Sequence, residues 1–386
     1  MCSRSDSSTR SKSIVILASQ ASSLRNFRGS LIESLLSLGF EVHTCAPELS
    51  EDKQTHAWLT ARGARCHDVP LVRTGLNVVS DLRTVLSMYR LFREIEPSLI
   101  LSYTIKPVIW GLIAGWMARV PYRVALITGL GYAFPTEARG LRAILRCLVE
   151  WLYGIALSKA SLVFFQNPDD MSDFREWGIL SKKTKSVIVN GSGVDVEAFP
   201  EVSFPTSTKT RFLLIARLLW EKGIDDYVEA ARILQSSHAD AEFHLVGPLD
   251  ANPGGISEED VTRWEQAGWL TWHGSQSDVR PFISDCHVFV LPSKYREGTP
   301  RTILEAMAMG RAIITTDSPG CRETVVEGFN GFLLPPGDAN ALASAMLTFI
   351  DDPHLISQMG RNSRVFAEEK YDVRKVNQSI IRAMDI

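Results

Sequence analysis

Short runs of β-branched and aliphatic residues alternate with longer stretches of helical period, and this happens twice along the chain. The first series reads SIVILAS, SLIESLLSLG, EVHTCAP, DLRTVLSMYRLFREI, LILSYT, a helical pattern from about Pro107, VALITG, SLVFFQN and VIVNGSG. The second restarts at RFLLIA and runs through DYVEAARILQ, EFHLVG, LTWHG, HVFVLPS, PRTILEAMAMG and RAIITTD. Strands apolar on both faces, each followed by an amphipathic helix, form a parallel sheet covered by helices on both sides. The expected fold class is therefore α/β with two doubly wound, Rossmann-like domains in tandem, for which 386 residues are ample. Between the series lies VEAFPEVSFPTSTKT, with two prolines and no periodicity. This predicts an N-terminal domain over residues 1–198 and a C-terminal domain over 199–364. A further helix is expected over 365–386, packing back toward the first domain. Ligands of such sheets collect beyond the carboxyl ends of the strands, so two facing domains would share a cleft there.

Charge is divided between the halves. Residues 1–198 carry 23 Lys and Arg against 18 Asp and Glu, whereas the remainder carries 18 against 26. A basic surplus of this size suits an anionic small molecule or an anionic membrane surface, and is too dilute for nucleic acid. Six cysteines without a C-x-x-C pair suggest neither a zinc cage nor a disulfide framework, which fits a reducing cytosol. The polar start leads into only a short apolar run, Ile14 to Ala18, so no secretory signal is expected. Pro107 to Ala118 is too short and too glycine-broken to span a bilayer. Any membrane contact is expected at the surface.

The densest chemical signal is Glu297-Gly-Thr-Pro-Arg-Thr-Ile-Leu-Glu305, directly after the strand HVFVLPS. Thr299 is placed to cap a helix, Pro300 to occupy its first position and Gly310 to end it. The backbone N–H groups near Gly298, Thr299 and Arg301, backed by the helix dipole, form an anion site sized for phosphate. Glu297 could accept hydrogen bonds from a polyol, and Glu305 could clamp a vicinal diol such as a ribose. The same spacing would also serve a well-capped helix with two solvated glutamates.

Arg217 closes the strand RFLLIA and Lys222 follows on the same loop. A guanidinium fork and a mobile ammonium together could neutralise a diphosphate without a metal. The chain has no Asp-x-Asp pair of the kind that holds Mg²⁺ there. Pairing of these cations with Glu221 or Asp225 is the alternative.

These residues resemble the donor site of the retaining family 4 glycosyltransferases of GT-B fold. The stretch from DCHVFVLPSKYREGTPRTILEAMAMG through RAIITTDSPGCRETVVEGFNGFLLPPGD is similar to that family's second domain almost without interruption. The resemblance implies a nucleotide-sugar donor, with UDP favoured, and no cofactor or metal. It assigns Glu297, Arg217 and Lys222 to catalysis. Gly298, Thr299, Arg301 and Glu305 would join them in holding the donor, Glu305 at the ribose. Asn190, Gly191, Gly193 and Asp195 resemble the family's interdomain segment. NFRGSLIESLLSLGFEVHTCAP, SYTIKP and ITGLGYAF resemble the branch that extends lipid-diphosphate-linked sugars in bacterial polysaccharide or glycan assembly. Arg25, Asn26 and Arg28, on the loop after the first strand, and Lys106 would then meet a polyprenyl-diphosphate-linked acceptor. Where many members carry a histidine, this chain has Thr128-Gly129-Leu130-Gly131, so no catalytic histidine is assigned.

The segment 139–159 places Leu141, Ile144, Leu145, Leu148, Leu152 and Ile155 on one helical stripe, with Arg139, Arg142, Arg146 and Tyr153 on another. Such a helix could lie in the headgroup layer of an anionic membrane, or pack on its own domain with a solvated basic side. Cys286, His287 and His244 read as packed strand residues, while His273 falls at a strand end near the expected nucleobase. The resulting expectation is a cytoplasmic hexosyl or N-acetylhexosaminyl transferase, peripheral on the inner face of the plasma membrane. A nucleotide-sugar epimerase of the same build and a non-catalytic nucleotide-sugar-binding subunit are its rivals.

Overall fold

A computed structural model describes residues 12–72, 77–129, 141–236, 240–250, 252 and 254–386, with backbone only for 141–145. The chain divides into two compact units. Among the described residues, one contains 12–128, 141–189 and Asn377–Ile386; the other contains Gly129 and Asn190–Val376.

In the first unit the order is β1 (Ser13–Leu17), α1 (Ala21–Ser37), β2 (Glu41–Ala46), α2 (Lys53–Thr60), β3 (Arg65–Asp68), α3 (Val78–Ile95), β4 (Leu99–Tyr103), α4 (Ile105–Met117), β5 (Tyr122–Ile127), α5 (Leu141–Leu157), β6 (Leu162–Phe165), α6 (Pro168–Glu176) and β7 (Ser186–Ile188). The second unit has β8 (Thr210–Ile215), α7 (Ile224–Gln235), β9 (Ala241–Val246), α8 (Glu258–Gln266), β10 (Thr271–Trp272), α9 (Arg280–Ser284), β11 (Val288–Leu291), α10 (Arg301–Ala308), β12 (Ala312–Thr316), β13 (Gly331–Leu334), α11 (Ala339–Asp351) and α12 (Pro353–Phe366). A last helix, α13 (Val373–Met384), begins in the second unit and has its residues from Asn377 onward in the first.

Both sheets are parallel, in the orders β3-β2-β1-β4-β5-β6-β7 and β10-β9-β8-β11-β12-β13. The central strands β1, β4, β11 and β12 are buried along their whole length, as strands covered on both faces must be. Helix starts are fixed locally where a side chain can cap them: Asn77, Asn167, Ser257 and Asp338 each accept the N–H three residues on. Chain order reverses between β1 and β4 in one unit and between β8 and β11 in the other. The loops leaving these strands therefore diverge at the carboxyl edge, where a doubly wound sheet opens a crevice.

The second unit starts at Asn190, ahead of the expected linker, because Val194 bridges Asp372 and its N–H donates to the Tyr371 carbonyl. The continuous helix expected from Val365 is divided: Val365 and Phe366 finish α12, a π-turn spans Ala367–Tyr371, and α13 begins only at Val373. Arg25, Asn26 and Arg28 lie inside α1, not on the preceding loop, since helical hydrogen bonding already starts at Ala21.

Candidate active site

In the second unit the loop after β8 and the loop after β11 leave adjacent strands at the point of reversal. Residues Trp220–Lys222 form one 3₁₀ turn, ended by Gly223 at φ 70°. A Cβ at Gly223 would sit 1.9 Å from the Pro292 carbonyl oxygen, so only glycine lets the two loops come this close. The Lys294 N–H donates to the Glu221 carbonyl at 2.9 Å and stitches them together.

This close approach pairs Lys222 Nζ with Glu297 Oε1, both side chains being largely buried. The Ser293 hydroxyl donates to the same oxygen at 3.0 Å, and the Lys222 ammonium lies 5.1 Å from the centre of the Tyr295 ring. Ser293 is fully buried, and its carbonyl accepts from the hydroxyls of Thr316 and Ser318. Arg217, nearly half exposed, forms an ion pair with Asp250 at 2.7 Å. Burial opposes ionisation of Asp250, yet the Asn252 N–H and the Arg217 guanidinium hold its carboxyl below the ordinary range. Of the alternative partners, Asp225 pairs instead with Lys294 at 2.8 Å, which also reaches Asp226 at 3.0 Å.

Helix α10 starts one residue later than expected. Pro300, at ψ 114°, is the cap and Arg301 the first helical residue, so Thr299 does not cap the helix. Proline has no side-chain oxygen, and the first turn receives no side-chain cap. Glu305 lies on the buried side of α10 and accepts from Arg301 Nε at 2.8 Å. Burial, against the pull of Arg301, pushes its carboxyl above the usual range. Gly298 is buried, and Gly320, at φ 83°, lies so close that a Cβ there would stand 2.4 Å from the carbonyl oxygens of both Glu297 and Gly298. Gly191 packs its α-carbon against the Thr299 side chain. Asn190 donates to the Lys370 carbonyl at 3.0 Å, and Asp195 accepts from the N–H groups of Glu197 and Ala198.

Arg217, Lys222, Glu297, Gly298, Thr299, Arg301 and Glu305 all lie on the loops leaving β8 and β11 or on the helix that follows β11. Sequence reasoning missed Ser293, Asp250, Gly223 and Gly320. Ser293 could have been found from its place four residues before Glu297; the other three depend on contacts between separate loops.

In the first unit Lys106, at the start of α4, pairs with Asp81 of α3 at 3.0 Å and is mostly buried. Arg28 is 3% exposed and its guanidinium lies 5.2 Å from the centre of the Tyr103 ring. Arg25 and Asn26 lie nearer solvent and hydrogen-bond to one another at 3.2 Å. Thr104, between β4 and α4, has φ 67° and ψ 163°, a region that side chains other than glycine's avoid. No sequence signal marked it.

His244 and His273 stack with centroids 5.2 Å apart and share a hydrogen bond of 3.0 Å. Cys286 is fully buried, which pushes its thiol up to about 12, and His287 Nδ1 accepts the Arg211 N–H at 3.0 Å. On α5 the expected division of faces is corrected: Tyr153 is buried against Phe174, and Arg146 pairs with Glu150 and stacks on Trp177. Arg139, Leu130 and Gly131 lie outside the described residues, as do the side chains of Leu141, Arg142, Ile144 and Leu145.

Two family models match the chain. The glycosyl transferase 4-like domain covers residues 25–191 and glycosyl transferases group 1 covers residues 209–352. An N,N'-diacetylbacillosaminyl-diphospho-undecaprenol alpha-1,3-N-acetylgalactosaminyltransferase of Campylobacter jejuni is 27% identical over 385 residues, spanning 96% of this chain and 98% of that protein. A UDP-Gal:alpha-D-GlcNAc-diphosphoundecaprenol alpha-1,3-galactosyltransferase of Escherichia coli is 26% identical over 313 residues, 78% of each chain. Among solved structures, sucrose-phosphate synthase from Thermosynechococcus elongatus superposes with a TM-score of 0.79 at 19% identity, covering 96% of this chain and 98% of its own, and so shares the fold. With two doubly wound units and consecutive matches along most of its length, the chain belongs to the family 4 glycosyltransferases of GT-B fold.

Proposed function

We infer that this enzyme moves a hexose or N-acetylhexosamine from a nucleoside diphosphate sugar, UDP favoured, to a lipid-diphosphate-linked saccharide in surface polysaccharide or glycan assembly, with retention of configuration. The observation that carries this is the buried cluster in which Lys222 and Ser293 hold one oxygen of Glu297, with Arg217 on the same loop as Lys222. Support for the acceptor class comes from the two relatives above, both named for diphospho-undecaprenol substrates.

In this reading Arg217, Lys222 and the amides around Gly298, Thr299 and Arg301 receive the diphosphate. As the glycosidic bond to the β-phosphate breaks, negative charge grows on the leaving oxygen, and fixed cations and dipoles stabilise it without reorganising. Glu297, its carboxylate fixed from two sides, orients the sugar hydroxyls, and Glu305 takes the ribose diol. Front-face attack lets the departing phosphate oxygen accept the acceptor's proton, so no separate base is required. Arg25, Asn26, Arg28 and Lys106 are the proposed acceptor residues, Arg28 and Lys106 acting from largely buried positions. The finer reading sets the enzyme at the cytoplasmic surface of an anionic membrane; among the described residues no helix is long and apolar enough to cross one.

The test is incubation of the purified chain with a panel of labelled UDP- and GDP-sugars and a polyprenyl-diphosphate sugar. Transfer supports the reading; interconversion of free donor, or binding without turnover, refutes it. Glu297→Ala should lower kcat at least about a hundredfold while nucleotide affinity changes little.

A further inference from the structure

We propose that the N-terminal half of α3 is the surface on which this protein rests on an anionic lipid bilayer. The inference builds on the lipid-linked acceptor reading and identifies the element that meets the membrane, in place of α5.

Helix α3 packs on the first unit through Asp81, Thr84, Val85, Met88 and Phe92, all buried. Its opposite side is apolar where solvent would demand polar residues: Val78 is 81% exposed, Val79 78%, Leu82 58% and Leu86 42%. These four fall within one third of the helix circumference, because spacings of one, four and eight residues bring them back to one side. Isolated exposed aliphatics need no explanation, but four adjoining ones on a single helix do. Exposed Arg83, Arg90 and Arg93 lie on the same side, and the exposed carboxylates, Glu94 and the capping Glu96, are confined to the far end.

Aliphatic side chains flanked by guanidinium groups fit the boundary between acyl chains and anionic headgroups. Tyr89 falls on this side too but is half-buried against the core, so what α3 presents there is mainly aliphatic and cationic, which suits an anionic bilayer. Its position also suits the chemistry. Asp81, in the first turn of α3, pairs with Lys106 at the start of α4, so the apolar patch lies at the carboxyl edge of the sheet. A lipid acceptor could then keep its chain in the bilayer while its diphosphate reaches that edge. By contrast, the described part of α5 has its arginine neutralised by Glu150 and its tyrosine in the core.

The experiment is flotation of the full chain with vesicles of phosphatidylcholine alone or with one third phosphatidylglycerol, alongside transfer to a short-chain, water-soluble diphosphate acceptor. Wild type should prefer the anionic vesicles. The double variant Val79→Glu, Leu82→Glu should lose at least about tenfold in vesicle affinity. Arg83→Ser with Arg90→Ser should lose about fivefold per charge, on anionic vesicles only. All of these side chains are exposed, and unchanged circular dichroism and transfer to the soluble acceptor would show that both variants fold. Vesicle affinity equal to wild type in both, or lost only in Trp151→Glu on α5, would overturn the proposal. Soluble transfer alongside unaltered vesicle binding by the α3 variants would refute the docking face and leave the acceptor reading standing. Vesicle binding through α3 without transfer to any lipid diphosphate would do the reverse.

Discussion

Replacing Gly320 by alanine should disable the enzyme by moving Glu297, a residue it does not contact through any side chain. The new Cβ would stand 2.4 Å from the carbonyl oxygens of Glu297 and Gly298, where an ordinary contact is at least 3.4 Å. Both obstacles are backbone atoms and cannot rotate away, so the loop must retreat by about 1 Å, and a misplacement of that size near reacting groups costs roughly a hundredfold in rate. The φ of 83° adds about 1–2 kcal/mol for a left-handed alanine, and crowding adds about 1–3 kcal/mol more. At roughly 2–4 °C per kcal/mol for a unit of this size, the melting temperature should fall by about 5–15 °C. Gly328→Ala separates the two effects: its φ is 72° but nothing lies within 4 Å of a Cβ there, so it should lose stability alone. Steady-state kinetics and thermal melts on both variants decide the matter. Gly320→Ala with kcat within threefold of wild type, or Gly328→Ala equally inactive, would refute the argument.

Ser293→Ala removes a hydrogen bond to a carboxylate, worth about 1.5–3 kcal/mol. The kcat should drop roughly ten- to a hundredfold with donor KM nearly constant, and a change confined to KM would show that Ser293 does not orient Glu297. For Glu305, burial lifts the carboxyl above its ordinary 4.5, so the folded chain retains that proton to higher pH than the unfolded chain does. The stability this gives is complete below the unfolded value and is lost as pH rises through the folded one. Glu305→Gln should accordingly raise the urea midpoint at about pH 7.5 and leave it unchanged at about pH 4, and a gain independent of pH would exclude this cause. Thr104→Gly should stabilise the chain by about 1 kcal/mol, since relief of about 1–3 kcal/mol of backbone strain exceeds the entropy cost of glycine. A lower urea midpoint in this variant would show that Thr104 is unstrained.

Elements whose signal is local were legible in the sequence. The runs SIVIL and VFVL could be placed as buried strands because nothing polar interrupts them. Arg217, Lys222 and Glu297 could be assigned to one edge because a parallel sheet sends every strand-to-helix loop the same way. What depends on pairs of distant segments stayed hidden. The closeness of Gly320 to Glu297 and of Gly223 to Pro292 is set by how loops nest, which no periodicity encodes. The cap of α10 shifted by one residue because proline's fixed φ is compatible with both the cap and the first helical position. On α5 the pattern showed two faces, but not that Tyr153 would turn toward Phe174.

Four cations at the edge of the second sheet have resident carboxylates: Asp250 for Arg217, Glu297 for Lys222, Asp225 and Asp226 for Lys294, Glu305 for Arg301. On the proposed reading, a donor would displace Asp250 at Arg217 and share Lys222 with Glu297, instead of filling an open positive well. An orthophosphate ion gains little by evicting Asp250, since it brings no sugar or ribose to repay the disruption. Such a site would discriminate by requiring the whole nucleotide sugar at once, and would tolerate the abundant simple phosphates of a cell without being blocked by them.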